Sequence, residues 1–483
     1  MMGLPRPTEF FPRTTIHLPD VATIRLTTKN SVLYCTKAPF LYIIMHNIYT
    51  SSYPYRLMFQ KSILRTIITD QMLEPKLVDR IVERSQFHAL ASYEGKSAFV
   101  IKGVRRCGKS TMMKQLMETN FSDSYFYLNF DDERLAGFES TDFQTLLETF
   151  IELYGDRRNL FMDEIQNVNG WELFVNRILR QGYRVFITGS NANLLSKELG
   201  TRLTGRHIDV ELYPFSFVEF LKARNVRYRR IGKHSTSSRA ILQREFMAYL
   251  HTGGMPEVVL GSNKSILSQL IADIVQKDIV GRYALRKSQE LRVLLRFLIS
   301  NAGNSVTHRS IMLNLGMKSA NTVEKYISYA EETYLVFEVR KFERKLKKFD
   351  KNPKKVYCID NGIIIRNSPA FGERDGALLE NIVAVQLMRL GHEFFYYKGR
   401  DGCEVDFIKP ATGEAIQVCY ELNEKNEKRE VKGLVEAARD LKMDKAIILT
   451  LDQEEEIIQD GVKIDVKPCW SWLLESDVAD QTI

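Results

Sequence analysis

Gly103-Val104-Arg105-Arg106-Cys107-Gly108-Lys109-Ser110 satisfies G-x-x-x-x-G-K-[ST], the spacing of a phosphate-binding loop. The residues on either side give the pattern its weight. Ser97-Ala98-Phe99-Val100-Ile101 is a short apolar run that reads as a buried strand. Beyond the loop, Met112, Met113, Leu116 and Met117 recur at helical spacing. A strand, a glycine loop and a helix bring successive backbone N–H groups and a helix N-terminus onto one point, as a bound phosphate requires. Lys109 is then expected to reach the β- and γ-phosphates of ATP, and Ser110 to ligate Mg²⁺. Gly103, Val104, Arg105, Arg106, Cys107, Gly108 and Thr111 complete the expected cradle.

Downstream of the loop, strand and helix alternate. Tyr125 to Phe130, Leu160 to Met162, Arg184 to Thr188 and Ile208 to Leu212 read as strands. Between them, Phe143 to Tyr154 and Trp171 to Leu179 carry apolar residues at helical spacing. Such alternation predicts an α/β domain with a parallel sheet and helices on both faces. The third strand runs into Asp163-Glu164. Asp163 is expected to hold Mg²⁺ and Glu164 to orient the attacking water. The fourth strand ends in Gly189-Ser190-Asn191, where Asn191 could sense the γ-phosphate, position the attacking water or simply sit in a turn. Arg206 precedes the fifth strand, with Arg202 just before it. An arginine finger reaching a neighbouring subunit's nucleotide and a structural salt bridge are both open to Arg206.

The chain's 483 residues exceed what one core accommodates, so two to four domains are expected. A net charge of +8 permits nucleic-acid contact without demanding it. The six cysteines (Cys35, Cys107, Cys358, Cys403, Cys419, Cys469) form no C-x-x-C pair, which argues against a zinc ribbon and fits a reducing cytoplasm. H-E-x-x-H is absent, and Gly189-Ser190 lacks the flanks of a hydrolase elbow. No window approaches the roughly 18 apolar residues of a membrane span, so no membrane partner is expected.

The chain resembles a large prokaryotic family of AAA+-type ATPases whose C-terminal domain is restriction-endonuclease-like. The resemblance rests on Gly103 to Thr111, Leu160 to Gln166, Thr188-Gly189-Ser190, Thr204-Gly205-Arg206 and Leu212 to Phe217. It continues through Gly253-Gly254-Met255-Pro256-Glu257, Lys355 to Gly362 and Glu404-Val405-Asp406-Phe407, and so covers about 75 to 475. It implies binding and hydrolysis of ATP with Mg²⁺, and it supplies no substrate. Phe217 to Ala223, Arg244 to Leu250 and Ile266 to Val280 read as helices, and the resemblance makes them the small lid of the ATPase, with Gly253-Gly254 a hinge or helix stop.

From Ser288 to Glu338 the pattern predicts a winged helix-turn-helix, with Ser319 capping a third helix over Ala320 to Thr333. Laid in a major groove, that helix would present Lys318, Asn321 and Lys325 to DNA; an inert spacer or a protein-binding module fits equally. The basic run from Arg340 through Lys347 and Lys348 to Lys355 reads either as a solvated hairpin or as a phosphate-contacting wing. Further on, a helix over Ala377 to Leu390 and strands near Glu393 to Tyr397, Cys403 to Ile408, Ala415 to Tyr420 and Lys445 to Leu451 resemble the PD-(D/E)xK fold. That fold gathers metal on a helix Glu, a strand Asp and an E-x-K. Glu380 and Asp406 match, with Glu404 a nearby substitute, but the E-x-K position reads Gln417-Val418-Cys419. An amide there weakens any metal site and a thiol supplies no cation, so efficient cleavage is not expected.

The expected organisation is a 1–57 extension of atypical composition, an AAA+-type core over 58–215, a lid over 216–287, a winged helix over 288–350 and a PD-(D/E)xK-like α/β domain over 351–483. The extension reads as a small β element, a disordered arm or an over-extended reading frame that truly starts at Met58. Three functions fit: an ATPase switch coupled to a nuclease-like binding domain, an ATP-gated endonuclease, or a STAND-like regulator with little turnover. DNA and further copies of the chain are the candidate partners.

Overall fold

A computed structural model describes residues 59–483 except 75–80, 93–96, 123, 191–205, 228–234, 262, 286–287, 345–351, 369–374, 400–401 and 480–483. The extension over 1–57, Asn191, Arg202, Lys347 and Lys348 therefore lie outside the described residues.

Five strands, β1 (Ala98–Lys102), β2 (Tyr125–Asn129), β3 (Asn159–Asp163), β4 (Arg184–Gly189) and β5 (His207–Glu211), form a sheet in the order β2-β3-β4-β1-β5. Every pairing is parallel. Side chains alternate between its two faces. Phe99, Ile101, Tyr127, Phe161 and Phe186 point into one core, and Ala98, Val100, Leu128, Met162 and Ile187 into another. Both cores are covered by helices, which is why the strands read as unbroken apolar runs. Helices Lys61–Leu73, Phe143–Tyr154 and Trp171–Arg180 contribute to the second core. The first core holds the loop helix Lys109–Leu116 and continues through helices Phe217–Ala223, Thr236–Thr252, Ile266–Asp273 and Ser288–Ser300 into the C-terminal half.

Ahead of β1 a short helix spans Phe87–Ser92, and 81–84 is non-helical. Arg84 explains why. Its guanidinium is buried, bonding Glu219 at 2.9 Å and the Cys107 carbonyl at 2.9 Å, together with the Tyr213 carbonyl. The segment thus docks against the phosphate loop rather than coiling on itself. Helix Lys61–Leu73 also precedes the sheet, packing Leu64, Ile67 and Ile68 into the second core.

Beyond helix Ser288–Ser300, β6 (Ser305–Val306), helices His308–Leu315 and Ala320–Glu332, β7 (Val336–Arg340) and β8 (Lys354–Cys358) follow. Ser319 caps its helix as expected, its hydroxyl accepting the Asn321 N–H at 3.2 Å. The sheet order is β6-β8-β7, so the β7–β8 hairpin straddles position 350. Helices Asn361–Asn367 and Asp375–Arg389 lead into β9 (Phe395–Lys398), β10 (Glu404–Lys409), β11 (Glu414–Val418), β12 (Lys445–Thr450), β13 (Glu455–Gln459) and β14 (Val462–Pro468). These form a mixed six-stranded sheet ordered β13-β14-β12-β11-β10-β9, with helix Glu427–Leu441 packed on it and Cys469–Ala479 closing the chain. No helix of the described residues is long and apolar enough to cross a membrane.

Candidate nucleotide site

The loop's geometry follows from where β1 ends. Gly103 has φ 151°, and a Cβ there would lie 2.0 Å from the Leu212 carbonyl oxygen. Only glycine lets the chain leave β1 beside the strand that follows it in the sheet. Gly108, at φ 101°, then turns the chain into helix Lys109–Leu116. That helix N-terminus offers unpaired N–H groups and the positive end of its dipole. Lys109 is buried, its ammonium folded back onto the carbonyls of Gly103 at 2.9 Å and Val104 at 3.1 Å. Ser110 is half-buried in the first turn, and Thr111 is exposed. A cavity of about 660 Å³ opens beside the loop, lined by Val82, Thr111, Met112, Phe215, Pro256 and Ile266 among others. Its apolar walls and size suit an adenosine-sized group.

Asp163 ends β3 and is buried. One carboxylate oxygen accepts the Thr188 hydroxyl, and the other lies 3.5 Å from the Tyr127 hydroxyl. Glu164 follows at φ 52°, in the left-handed region. Its N–H donates to Thr188 Oγ1 at 2.9 Å, and its carboxylate accepts from Gln166 at 2.5 Å. Thr188 on β4 thus ties both acidic residues to the sheet. Burial pushes the Glu164 carboxyl up, Lys109 draws it down, Asp163 raises it and Arg105 lowers it. A carboxylate held at the sheet edge where the loop begins is suited to hold a water against a phosphate.

Arg105 and Arg106 are both engaged by acids beyond the loop. Arg105 grips Asp278 through two bonds of 2.9 and 2.8 Å, and Arg106 reaches Asp273 at 2.9 Å and Glu257 at 3.1 Å. All three acids lie in the helical stretch from Pro256 to Gly281. The Ser190 hydroxyl, at the end of β4, also reaches Asp278 at 3.3 Å. The Cys107 side chain is buried, and the loop uses its carbonyl to hold Arg84. Arg206 is exposed just before the edge strand β5, its carbonyl accepting the Ala98 N–H at 2.9 Å.

The C-terminal acids do come together, around a partner that sequence reasoning assigned elsewhere. Lys355, on β8, is buried with its ammonium 2.7 Å from Asp406, 2.8 Å from Glu404 and 3.1 Å from Glu380. The Tyr357 hydroxyl donates to Glu380 at 2.6 Å, and the second Asp406 oxygen takes the Val418 N–H at 2.9 Å. Gln417 accepts the Asp406 N–H at 3.2 Å and donates to Glu430 at 2.8 Å. Burial, with Asp406 alongside, pushes Glu380 up to about 7.

A cation is therefore present after all, and it comes from the basic run instead of position 419. Cys419 is buried, and burial pushes its thiol up to about 11. Among the described residues no group of three or more His, Cys, Asp or Glu side chains could hold a metal ion. A divalent ion at Glu380 and Asp406 does not fit while Lys355 lies there. Lys354 is likewise bound, to Glu338 at 2.5 Å. Neither lysine is a free phosphate contact, whereas Lys318, Asn321 and Lys325 are exposed.

Arg84, Thr188, Asp278 and Lys355 are the site residues the sequence did not disclose. Thr188 alone left a signal, as a hydroxyl near the end of a buried apolar strand beside the one that ends in Asp163.

The AAA domain profile matches residues 95–221. Two domains of unknown function, DUF8612 and DUF4143, match 243–372 and 375–472. An uncharacterized protein of Methanocaldococcus jannaschii is 36% identical over 395 residues, covering 78% of this chain and 88% of its own. An uncharacterized protein of Haemophilus influenzae is 32% identical over 393 residues, covering 78% and 94%. AMPPCP-bound DnaA from Aquifex aeolicus is 16% identical, covers 52% of this chain and 85% of its own, and has a TM-score of 0.23, too low to argue from.

Proposed function

This chain belongs to the family of those Methanocaldococcus jannaschii and Haemophilus influenzae proteins and carries an AAA domain, and from that premise we propose that it is an ATP-hydrolysing switch. One observation carries the reading. Lys109 opens the loop helix at the end of β1, and Thr188 at the end of the neighbouring parallel strand β4 binds Asp163 and the Glu164 N–H, so phosphate cradle and candidate base lie at the same edge of the sheet. The loop N–H groups and Lys109 would bind the phosphates, and the apolar cavity would take the adenosine. Ser110 and Asp163 are hard oxygen donors and fit Mg²⁺, which when bound neutralises charge on the β- and γ-phosphates. Glu164, held by Thr188, would orient water on the γ-phosphate.

The test is ATP turnover and binding by purified protein. Lys109→Ala should lose binding, because its compact ammonium meets the phosphates, while Glu164→Gln should bind and not turn over. Hydrolysis by Glu164→Gln at the wild-type rate would overturn the assignment of the base.

The switch would act on the C-terminal half, which we read as a winged helix followed by a PD-(D/E)xK-like domain that binds rather than cuts. The exposed Lys318, Asn321 and Lys325 support a nucleic-acid face on helix Ala320–Glu332. DNA binding that weakens steeply with salt is its test. The exposure of Arg206 at the sheet edge supports a finger acting in trans. Arg206→Ala should then regain activity when mixed with Lys109→Ala protein. A STAND-like regulator with little turnover is the second reading, favoured by the ion pairs that clasp the lid to the loop. One tightly retained ADP per chain would select it over the cycling ATPase.

A further inference from the structure

Two consecutive loop arginines terminate on the lid, and the pairs are unequal. Arg106 is 30% exposed and its partners Glu257 and Asp273 are 45% and 21% exposed, so water and salt weaken that contact. Arg105 is 20% exposed and Asp278 only 5%. Their contact is bidentate, the strongest arrangement open to a guanidinium and a carboxylate. Asp278 also holds the Ser190 hydroxyl at the end of β4. One buried carboxylate thus fastens the lid to the loop and to the strand beside it.

Asp278 sits in an unusual backbone. Helix Ile266–Asp273 continues as a π-helical segment, Ile274–Gly281. Such wide turns are rare and concentrate at functional sites. The other end of the contact faces the acids, since Asp278 bonds Ser190, two residues past Thr188, whose hydroxyl binds Asp163 and the Glu164 N–H. Arg105 therefore lies on the side of the loop where a terminal phosphate would meet Glu164.

We infer that Arg105 is the residue that tells ATP from ADP, because the γ-phosphate and Asp278 compete for its guanidinium and only ATP releases Ile274–Gly281 from the loop. The inference rests on the nucleotide-site reading. A phosphate matches the planar fork as well as a carboxylate does and carries more charge. ADP leaves that position empty; its β-phosphate is met by the loop N–H groups and Lys109, so Arg105 stays on Asp278. With the γ-phosphate present, Asp278 retains, among the described residues, the neutral Ser190 hydroxyl. A buried carboxylate with so little compensation is unfavourable, and the segment moves to hydrate it.

The test is amide hydrogen exchange on the full chain, without nucleotide, with saturating ADP and with saturating AMP-PNP, with binding verified in the same samples by equilibrium dialysis. AMP-PNP should speed exchange across 274–281 by about tenfold or more over ADP, the scale of an ordinary allosteric coupling, while strands β10 to β12 stay unchanged. Asp278→Asn and Arg105→Ala should each show the fast exchange without nucleotide, and AMP-PNP should add nothing to it. Equal exchange with bound ADP and bound AMP-PNP in wild type overturns the inference and leaves the ATPase reading standing. Binding of neither nucleotide overturns both. If the variants unfold, seen as fast exchange in β10 to β12 as well, the wild-type comparison decides alone.

Discussion

The ammonium of Lys355 lies 2.7 Å from Asp406 Oδ1, inside the group of carboxylates where a nuclease-like domain would keep its metal. Lys355 is 4% exposed, and Glu380, Glu404 and Asp406 surround it. Removing the ammonium alone should strand buried negative charge and cost about 3–5 kcal/mol. We expect Lys355→Met to lower the urea midpoint steeply and Lys355→Met/Glu380→Gln/Asp406→Asn to recover much of the loss. Supercoiled plasmid incubated with wild type in Mg²⁺ or Mn²⁺ with ATP should stay intact. Nicking that disappears in Asp406→Ala would promote the ATP-gated endonuclease.

Thr188 has one hydroxyl and serves two acids, donating to Asp163 and accepting the Glu164 N–H. Thr188→Val keeps the shape and deletes both bonds. ATP turnover should fall about 10–100-fold, as when a partner that orients a metal ligand is lost, with ATP binding retained. Unchanged turnover would mean that the sheet alone positions the acids.

Asp360 is buried and joins the C-terminal half to the turn after helix Thr236–Thr252. Its Oδ2 accepts the Gly254 N–H at 2.6 Å and its Oδ1 the Ile363 N–H at 3.3 Å. In Asp360→Asn one amide group must face a donor with a donor. The unmet bond should cost about 1–3 kcal/mol in chemical denaturation, with the stable secondary structure retained at low denaturant.

Burial, with Glu338 alongside, pushes Glu331 up to about 7 from its ordinary 4.5. The folded chain holds this proton where the unfolded chain has released it. Stability from this group is therefore fully present below about pH 4.5 and lost as pH rises through about 7. Lys354 and Arg340 face it and limit the shift. Measured midpoints of wild type should fall relative to Glu331→Gln across that window; parallel pH profiles would refute the shifted carboxyl.

The sheet and phosphate loop were legible because they rest on local signals: unbroken apolar strand runs, two glycines at fixed spacing, and acids at a strand end. Gly253-Gly254 was legible in part. Gly253, at φ 76°, does end helix Thr236–Thr252, but a Cβ on Gly254 would also lie 2.2 Å from the Phe215 carbonyl oxygen. That tight approach is set by a segment far off in sequence. Lys355 was misassigned for a similar reason. Amid Arg340, Lys341, Lys347 and Lys348 it reads as one more solvated cation, and only the fold brings β10 and helix Asp375–Arg389 around it. Arg84 and Asp278 likewise draw their meaning from partners 135 and 173 positions away.

The first core has no seam. It runs without interruption from Phe87 beside the loop, through the lid, to Leu474 in the last helix. Two polar ties reinforce it, Ser216 to Asp477 at 2.6 Å and Arg389 to the Pro214 carbonyl at 2.8 Å. A gene fusion that grafted the nucleotide-binding half onto another tail would leave Tyr213, Phe217 and Phe246 facing water, and the orphaned tail would bare Trp470 and Leu473. Such hybrids should aggregate before selection could refine them. The two halves are therefore expected to be inherited as one piece, with their sequences drifting in step.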